Sequence, residues 1–286
     1  MNQSEVNRTW KDYELIQTGN GMKLERWGKI KLLRPDPQII WKSNRPWSEF
    51  DAEYIRSNSG GGHWNFKKKI PQNWIIRYGS LAFKTQPTNF KHTGLFPEQA
   101  INWDWIANQC GRMTNLNVLN LFAYTGGATV AAVANDAMVT HVDAAKGMVE
   151  WAKENIQLSN LSERPVRFLV DDCLKFVERE IRRNNKYDAI IMDPPSYGRG
   201  KQGEIWKLEK HIQILLDACK KLCSDRFRFF LINSYTTGLS STVLSNLVHT
   251  SFQFNSGTLE AGELGIPESG TNLVLPCGTF CRWSSD

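Results

Sequence analysis

The chain has 286 residues, 41% of them hydrophobic and 22% charged. That is enough apolar material for one large core, or a core with a small satellite domain, and it excludes wholesale disorder. Lys and Arg number 35 against 29 Asp and Glu, a net +6 that suits a polyanionic partner such as RNA. Residues 1–12 are polar, with no apolar signal core, and no stretch reaches the roughly 20 apolar residues of a membrane helix, so the expectation is a cytoplasmic protein with no membrane partner.

The first 88 residues read as a small β-rich domain. Segments 13–17 and 22–27 flank Thr18-Gly19-Asn20-Gly21, a hairpin turn, and 29–34 adds a strand that Pro35 and Pro37 end. An irregular region follows, with Trp41, Trp47, Trp64, the loop run Gly60-Gly61-Gly62 and the basic run Lys67-Lys68-Lys69. Segments 74–78 and 81–85 form a second hairpin around Gly79-Ser80.

From Phe90 the period changes, and residues 89–286 read as a second domain. Pro97 starts a helix toward Cys110. Strands are expected at 117–122, 138–142, 166–170, 187–192 and 227–232. Each precedes a helix: 126–135, 145–159, 172–183, 204–222 and 239–248. That alternation predicts a Rossmann-like α/β sheet, parallel, with helices on both faces. Segments 252–260 and 272–283 are strand-like with no clear helix between them and predict an antiparallel C-terminal edge. The cysteines at 110, 173, 219, 223, 277 and 281 include two CxxxC pairs, but the spacing is wider than structural zinc favours. Reduced thiols and no metal are expected.

Ligands of open α/β sheets bind at the carboxyl ends of the strands. Four successive strand ends carry suitable residues. The first runs Phe122-Ala123-Tyr124-Thr125-Gly126-Gly127, where glycines let backbone approach a ligand at a helix start. It is not G-x-G-x-x-G, which argues against a dinucleotide pyrophosphate. The second ends in Asp143-Ala144, 17 residues past Gly126, where an acid can accept ribose hydroxyls or cap the next helix. The third is Asp171-Asp172-Cys173; one acid caps and the other accepts from an adenine amino group, while the next backbone N–H donates to the ring. The fourth is Asp193-Pro194-Pro195-Ser196-Tyr197, whose two prolines hold an extended turn that presents a carboxylate and carbonyls, with an aromatic able to stack on a base.

These ordered motifs resemble class I S-adenosylmethionine-dependent methyltransferases. Residues 120–127 with 193–197 are similar, more narrowly, to the bacterial 23S ribosomal RNA large-subunit methyltransferase family that includes 5-methylcytosine and 7-methylguanine enzymes. Lys91-His92-Thr93-Gly94-Leu95-Phe96-Pro97-Glu98-Gln99 looks like the family's element before the cofactor domain. The family's N-terminal PUA module has no counterpart in the sequence, so RNA capture is expected to fall to the β-rich domain, the basic surface or a partner. The resemblance implies S-adenosylmethionine held by Phe122, Ala123, Tyr124, Gly126 and Gly127 on the methionine and ribose side. Asp143 with Ala144 would take the ribose, Asp172 and the Cys173 backbone the adenine, and Thr93, Phe96 and Gln99 the methyl-donor end. Asp193 and the Pro194 carbonyl would orient a base nitrogen of RNA, ribosomal RNA foremost, and Tyr197 would stack on the base.

The chain departs from the 5-methylcytosine enzymes in one respect. Neither the loop after the fourth strand nor 232–237 after the fifth holds a cysteine nucleophile, so 5-methylcytosine is not expected. The alternatives are a protein or small-molecule methyltransferase, a non-catalytic RNA-binding module and an NAD-dependent dehydrogenase.

Overall fold

The computed structural model describes residues 4–43, 45–57, 61–199, 205–236 and 238–286. Its contacts divide the chain into two compact units. The smaller joins Ser4–Ile101 to Gly265–Cys277, and the larger holds Asn102–Leu264 and Gly278–Asp286. The expected boundary at 88/89 falls inside the smaller unit, and the unit also takes residues 265–277. One reason is Glu268, buried in the smaller unit, which accepts from the Thr18 N–H at 2.9 Å and from the Thr18 hydroxyl.

The smaller unit carries strands β1 (Glu5–Val6), β2 (Tyr13–Gly19), β3 (Met22–Trp27), β4 (Ile30–Pro35), β5 (Ala52–Arg56), β6 (Gly62–Phe66), β7 (Trp74–Tyr78) and β8 (Leu81–Thr85). Five of them form a sheet in the order β2-β3-β4-β5-β6, and β7 with β8 forms a separate hairpin. Both hairpins turn where the glycines predict: Asn20 and Gly21 have φ of 52° and 76°, and Gly79 has 56°. Strands β5 and β6 correct the reading of this stretch as irregular. Their burial alternates only weakly, because part of each strand stays open, so no clean period 2 shows in the sequence. Of the Gly60–Gly62 run, Gly60 lies outside the described residues.

Glu25 is the electrostatic centre of this unit. Its buried carboxylate accepts from Arg34 Nε at 2.6 Å and Nη2 at 2.8 Å, and from the Tyr13 hydroxyl at 2.7 Å. Burial alone would raise its pKa, but the Arg34 and Lys23 charges outweigh burial and hold it at about 2, below the ordinary 4.5. A depressed acid pKa contributes stability that is present above the unfolded value and lost as pH falls toward the folded one. The unit should therefore loosen between about pH 4.5 and 2. Glu25→Ala leaves the Arg34 guanidinium buried and unpaired, with an expected loss of about 3–5 kcal/mol in urea unfolding at neutral pH. A loss under about 1 kcal/mol would show that water reaches Arg34.

The larger unit opens at Asn102, within α1 (Ala100–Gly111), which follows the 3₁₀ turn Pro97–Gln99. Then come β9 (Asn117–Leu121), α2 (Gly127–Val133), β10 (Met138–Asp143), α3 (Lys146–Leu158), β11 (Val166–Val170), α4 (Cys173–Arg182) and β12 (Ala189–Met192). A hairpin of β13 (Tyr197–Arg199) and β14 (Ile205–Lys207) precedes α5 (Leu208–Lys220), and β15 (Phe229–Ser234), α6 (Ser241–Phe252), β16 (Thr258–Pro267) up to Leu264 and β17 (Val274–Ser284) from Gly278 complete it. The large sheet runs β16-β17-β15-β12-β9-β10-β11 in this unit. β11, β10, β9, β12 and β15 are parallel, and β17 pairs antiparallel with β15. Central strands with helices on both sides lose the alternation of a half-exposed strand: β12 and β15 are buried at every position. The doubly covered sheet and the antiparallel edge are as the sequence predicts.

Two elements differ. The expected helix 204–222 begins only at Leu208, because Ile205-Trp206-Lys207 pair as a strand with Tyr197–Arg199; Glu204 lies outside the described residues. The expected strand from 252 begins at Thr258, because α6 continues to Phe252 and ends at Gln253 in the left-handed region, φ 51°. Among the described residues no helix is long and apolar enough to cross a membrane.

Candidate functional site

In this sheet the strand order reverses between β9 and β12, which are direct neighbours. A crevice opens at the carboxyl ends of strands flanking such a switch. The loops leaving these two strands are the first and fourth of the sequence motifs, and the Asp193 N–H donates to the Leu121 carbonyl at 3.3 Å.

The loop after β9 is held in a conformation that local propensity disfavours. Phe122, Tyr124 and Gly126 have φ of 52°, 49° and 83°. Left-handed backbone at bulky residues costs on the order of 1–3 kcal/mol each and persists only where surroundings enforce it. The enforcement is visible. The Phe122 N–H donates to Cys173 Sγ at 3.3 Å, the Ala123 N–H to the Val142 carbonyl at 3.1 Å, and the Tyr124 N–H to Asp143 Oδ2 at 2.9 Å. The end of β10 and the first residue of α4 thus grip one loop.

Helix packing fixes the glycines. A Cβ on Gly126 would stand 2.9 Å from Ala152 Cβ, and one on Gly127 would stand 2.7 Å from Trp103 Cζ2. Gly126→Ala adds left-handed strain to this clash and should cost about 2 kcal/mol or more. Urea unfolding of the variant checks it; an unchanged midpoint would mean that the loop and α3 separate easily.

Beneath the loop, Asn120 Nδ2 donates to Thr129 Oγ1 at 2.9 Å, and Thr129 Oγ1 meets His141 Nδ1 at 2.9 Å. Burial pushes the His141 pKa down to about 3, so the ring is neutral and serves as a fixed polar prop.

Asp143 uses each carboxylate oxygen once: Oδ2 accepts from Tyr124 N–H, and Oδ1 from Ala145 N–H at 2.8 Å. Burial raises its pKa, and those two N–H groups oppose the rise. A carboxylate offers about four lone-pair sites, so each oxygen retains acceptor capacity toward a ligand. Helix α3 takes its cap at Ala145 rather than at Asp143. Ala144 is exposed beside it.

Of the adjacent acids after β11, Asp172 is the cap, its Oδ1 accepting from Lys175 N–H at 2.9 Å. Asp171 accepts from Asp172 N–H at 2.9 Å and pairs with Arg179. Cys173, assigned from the sequence for its backbone, also works through its side chain. The buried thiol receives the Phe122 N–H and lies 3.9 Å from the Val142 carbonyl.

After β12, Pro194 is buried while Pro195, Ser196 and Tyr197 are exposed. The Tyr197 ring is 49% exposed, and its hydroxyl accepts from Arg199 Nε at 2.8 Å. Two partners of this turn were not foreseen. Trp206 donates its indole N–H to the Pro195 carbonyl at 2.6 Å and sets its ring 5.1 Å from Phe122, joining the first and fourth loops. Thr236, at the end of β15, meets the Ser196 hydroxyl at 2.7 Å. The tryptophan in Ile205-Trp206-Lys207 was the available signal, masked by its assignment to a helix. Of the fifth strand end, Thr237 lies outside the described residues.

Residues 122–127, Asp143, Asp172, Cys173, Asp193, Pro194 and Tyr197 all lie at the carboxyl ends of neighbouring strands in this unit. Thr93, Phe96 and Gln99 belong to the smaller unit, where Thr93 and Gln99 are buried and Phe96 precedes the 3₁₀ turn. No thiol is poised for attack: all six cysteines are free, none is exposed, and burial raises every one, with Cys110, Cys223 and Cys281 at about 12.

A family model described as S-adenosylmethionine-dependent methyltransferase matches residues 54–219, more than half of the chain. A crystal structure of an S-adenosylmethionine-dependent methyltransferase from Agrobacterium tumefaciens superposes with TM-score 0.94 at 36% identity, covering 99% of this chain and 94% of that one. A methyltransferase structure complexed with SAH shares the fold at TM-score 0.76 and 18% identity, over 95% of this chain and 75% of that one. Among curated proteins, the ribosomal RNA large subunit methyltransferase K/L of Pseudoalteromonas atlantica is 38% identical over 49% of this chain and 19% of its own length. That of Colwellia psychrerythraea is 29% identical over 66% of this chain and 26% of its own length. The chain therefore spans about a fifth to a quarter of those curated relatives.

Proposed function

The chain belongs to the S-adenosylmethionine-dependent methyltransferase family, and from that premise we propose that it methylates a base nitrogen of RNA, ribosomal RNA foremost, without forming 5-methylcytosine. The observation that carries this reading is the Asp193-Pro194-Pro195 turn at the switch point, followed by the half-exposed Tyr197 ring. A carboxylate, a proline-freed carbonyl and an exposed aromatic within one five-residue turn offer partners for the edge and face of a flat base. The name of the curated relatives supports RNA as the acceptor class.

The residues present fit the cofactor. The loop at 122–126 is fixed in left-handed turns at the carboxyl end of β9, and each Asp143 oxygen accepts one N–H and keeps acceptor capacity for a ribose hydroxyl. Phe122, Ala123, Tyr124, Gly126 and Gly127 line the methionine and ribose side. Asp143 with Ala144 takes the ribose, and Asp172, which caps α4 through Oδ1 and keeps Oδ2 as an acceptor, takes the adenine together with the Cys173 N–H. S-adenosylmethionine supplies an activated sulfonium methyl when bound. The protein's own work is alignment: Asp193 accepts a hydrogen bond from the target nitrogen, the Pro194 carbonyl fixes the base edge, and Tyr197 stacks on its face. A pyrimidine carbon would need a thiolate to activate it, and the raised pKa of every cysteine argues against one.

Labelled methyl transfer tests this. With S-adenosylmethionine, the protein should label total RNA and leave protein unlabelled, and nucleoside mass spectrometry should find an N-methylated base. Label in protein, or in 5-methylcytosine, would overturn the reading.

A further inference from the structure

The charge of the chain is not spread evenly. Ser4–Ile101 with Gly265–Cys277 carries 16 Lys and Arg against 10 Asp and Glu, a net +6, while the larger unit holds 19 of each and is neutral. The whole basic excess therefore sits on the β-rich unit, which holds none of the motifs at the strand ends. Such segregation is an electrostatic footprint for a polyanion.

One face of this unit also carries unusual aromatics. β6 is the edge of the five-stranded sheet. Its register places Trp64 opposite Tyr54, Phe66 opposite Ala52 and Gly62 opposite Arg56, so Trp64, Phe66 and Arg56 share a face. Tyr54 is buried and meets Trp64 edge-on at 5.5 Å, which braces the indole from below. Trp64 and Phe66 lie 6.5 Å apart at an interplanar angle of 26°, forming a ladder of nearly parallel rings. The Trp64 indole N–H donates to the carbonyls of Thr88 and Phe90 at 2.9 and 3.2 Å, which fixes the Phe90 segment beside the strand. Phe66 is 52% exposed and Phe90 64%. Arg56 and Lys69 are exposed and make no ion pair among the described residues, whereas Lys68 is held by Glu49 and Asp51, and Lys67 lies over the Phe50 ring.

We propose that this edge, Trp64, Phe66 and Phe90 flanked by Arg56 and Lys69, is a stacking platform for single-stranded RNA. The proposal rests on the RNA reading above and adds where the strand is captured. Single strands bind to a basic track with aromatic rings on which successive bases stack, and every base has a face to offer. A duplex hides those faces, so the platform selects unpaired segments. The two unpaired cations supply backbone contacts.

The test uses the full chain and a fluorescein-labelled oligouridine, read by anisotropy. Phe66→Ala and Phe90→Ala remove exposed rings without disturbing the Trp64–Tyr54 contact, and each should weaken binding on the order of ten-fold. Their S-adenosylmethionine affinity should stay unchanged, which shows that the fold is intact. Arg56→Ala and Lys69→Ala should each flatten the salt dependence by about 0.7 in log–log slope. Unchanged affinity in the Phe66→Ala/Phe90→Ala double variant, while the wild type still labels RNA, would overturn the platform and leave the methylation reading standing. Equal wild-type affinity for duplex RNA would overturn it as well. Labelling of protein and no RNA would remove the substrate reading on which it rests.

Discussion

Asp143→Ala should weaken S-adenosylmethionine binding by on the order of a thousand-fold in a calorimetric titration, since each hydrogen bond to a charged group contributes about 1.5–3 kcal/mol and two ribose bonds are lost. The structure adds a second cost. Asp143 Oδ2 anchors the Tyr124 N–H, and Tyr124 sits at φ 49°. Without that anchor the loop is expected to relax from its left-handed turns, so the methionine side of the site is lost together with the ribose side. Asn should not rescue. Both carboxylate oxygens accept from backbone N–H groups, and an amide would turn its NH₂ toward one of them. Burial raises the Asp143 pKa above that of a free aspartate, so its ionisation comes at a higher pH than usual. Cofactor affinity should accordingly rise with pH through that raised pKa, then level off. Near-native affinity in Asp143→Asn would mean that the ribose is held elsewhere.

The way Asp143 acts also shows what the sequence could and could not reveal. Its place at the end of a strand was legible, because β10 follows a helix of small residues and precedes an amphipathic one, and the βα rhythm needs no long-range knowledge. The same rhythm located β9, β11, β12 and β15; of these, β12 and the Phe229–Ile232 run of β15 are continuously apolar, as cover on both faces requires. The glycine-bearing turns located β2, β3, β7 and β8, since few residues other than glycine and asparagine tolerate positive φ. The left-handed backbone at Phe122 and Tyr124 was not legible. No local preference favours it; it exists because Cys173, Val142 and Asp143, which are 19 to 51 residues away along the chain, hold the N–H groups. Trp206 was hidden for a related reason: its partners, Phe122 and the Pro195 carbonyl, become neighbours only when β9 and β12 pair. The split of charge was legible in the sequence itself: residues 4–101 carry 16 Lys and Arg against 9 Asp and Glu, and residues 265–277 add only Glu268.

Asp193→Ala should act on turnover rather than on the cofactor. Its backbone is placed by the Leu121 carbonyl, and the prolines after it leave the turn little freedom to drift. Removal of the side chain therefore should leave S-adenosylmethionine affinity within a few-fold of wild type. On the proposed reading, what should disappear is the hydrogen bond to the target nitrogen. Alignment and proton acceptance by a positioned side chain are worth roughly 10²–10⁴-fold, so kcat should fall by about that factor with KM for the cofactor preserved. Asp193→Asn separates the two contributions. An amide oxygen can still accept and orient but cannot take up charge, so partial recovery of kcat would assign orientation, and none would assign proton acceptance. A variant that loses cofactor binding and turnover together would instead place Asp193 on the methionine side, and would move the target base away from the Asp-Pro-Pro turn.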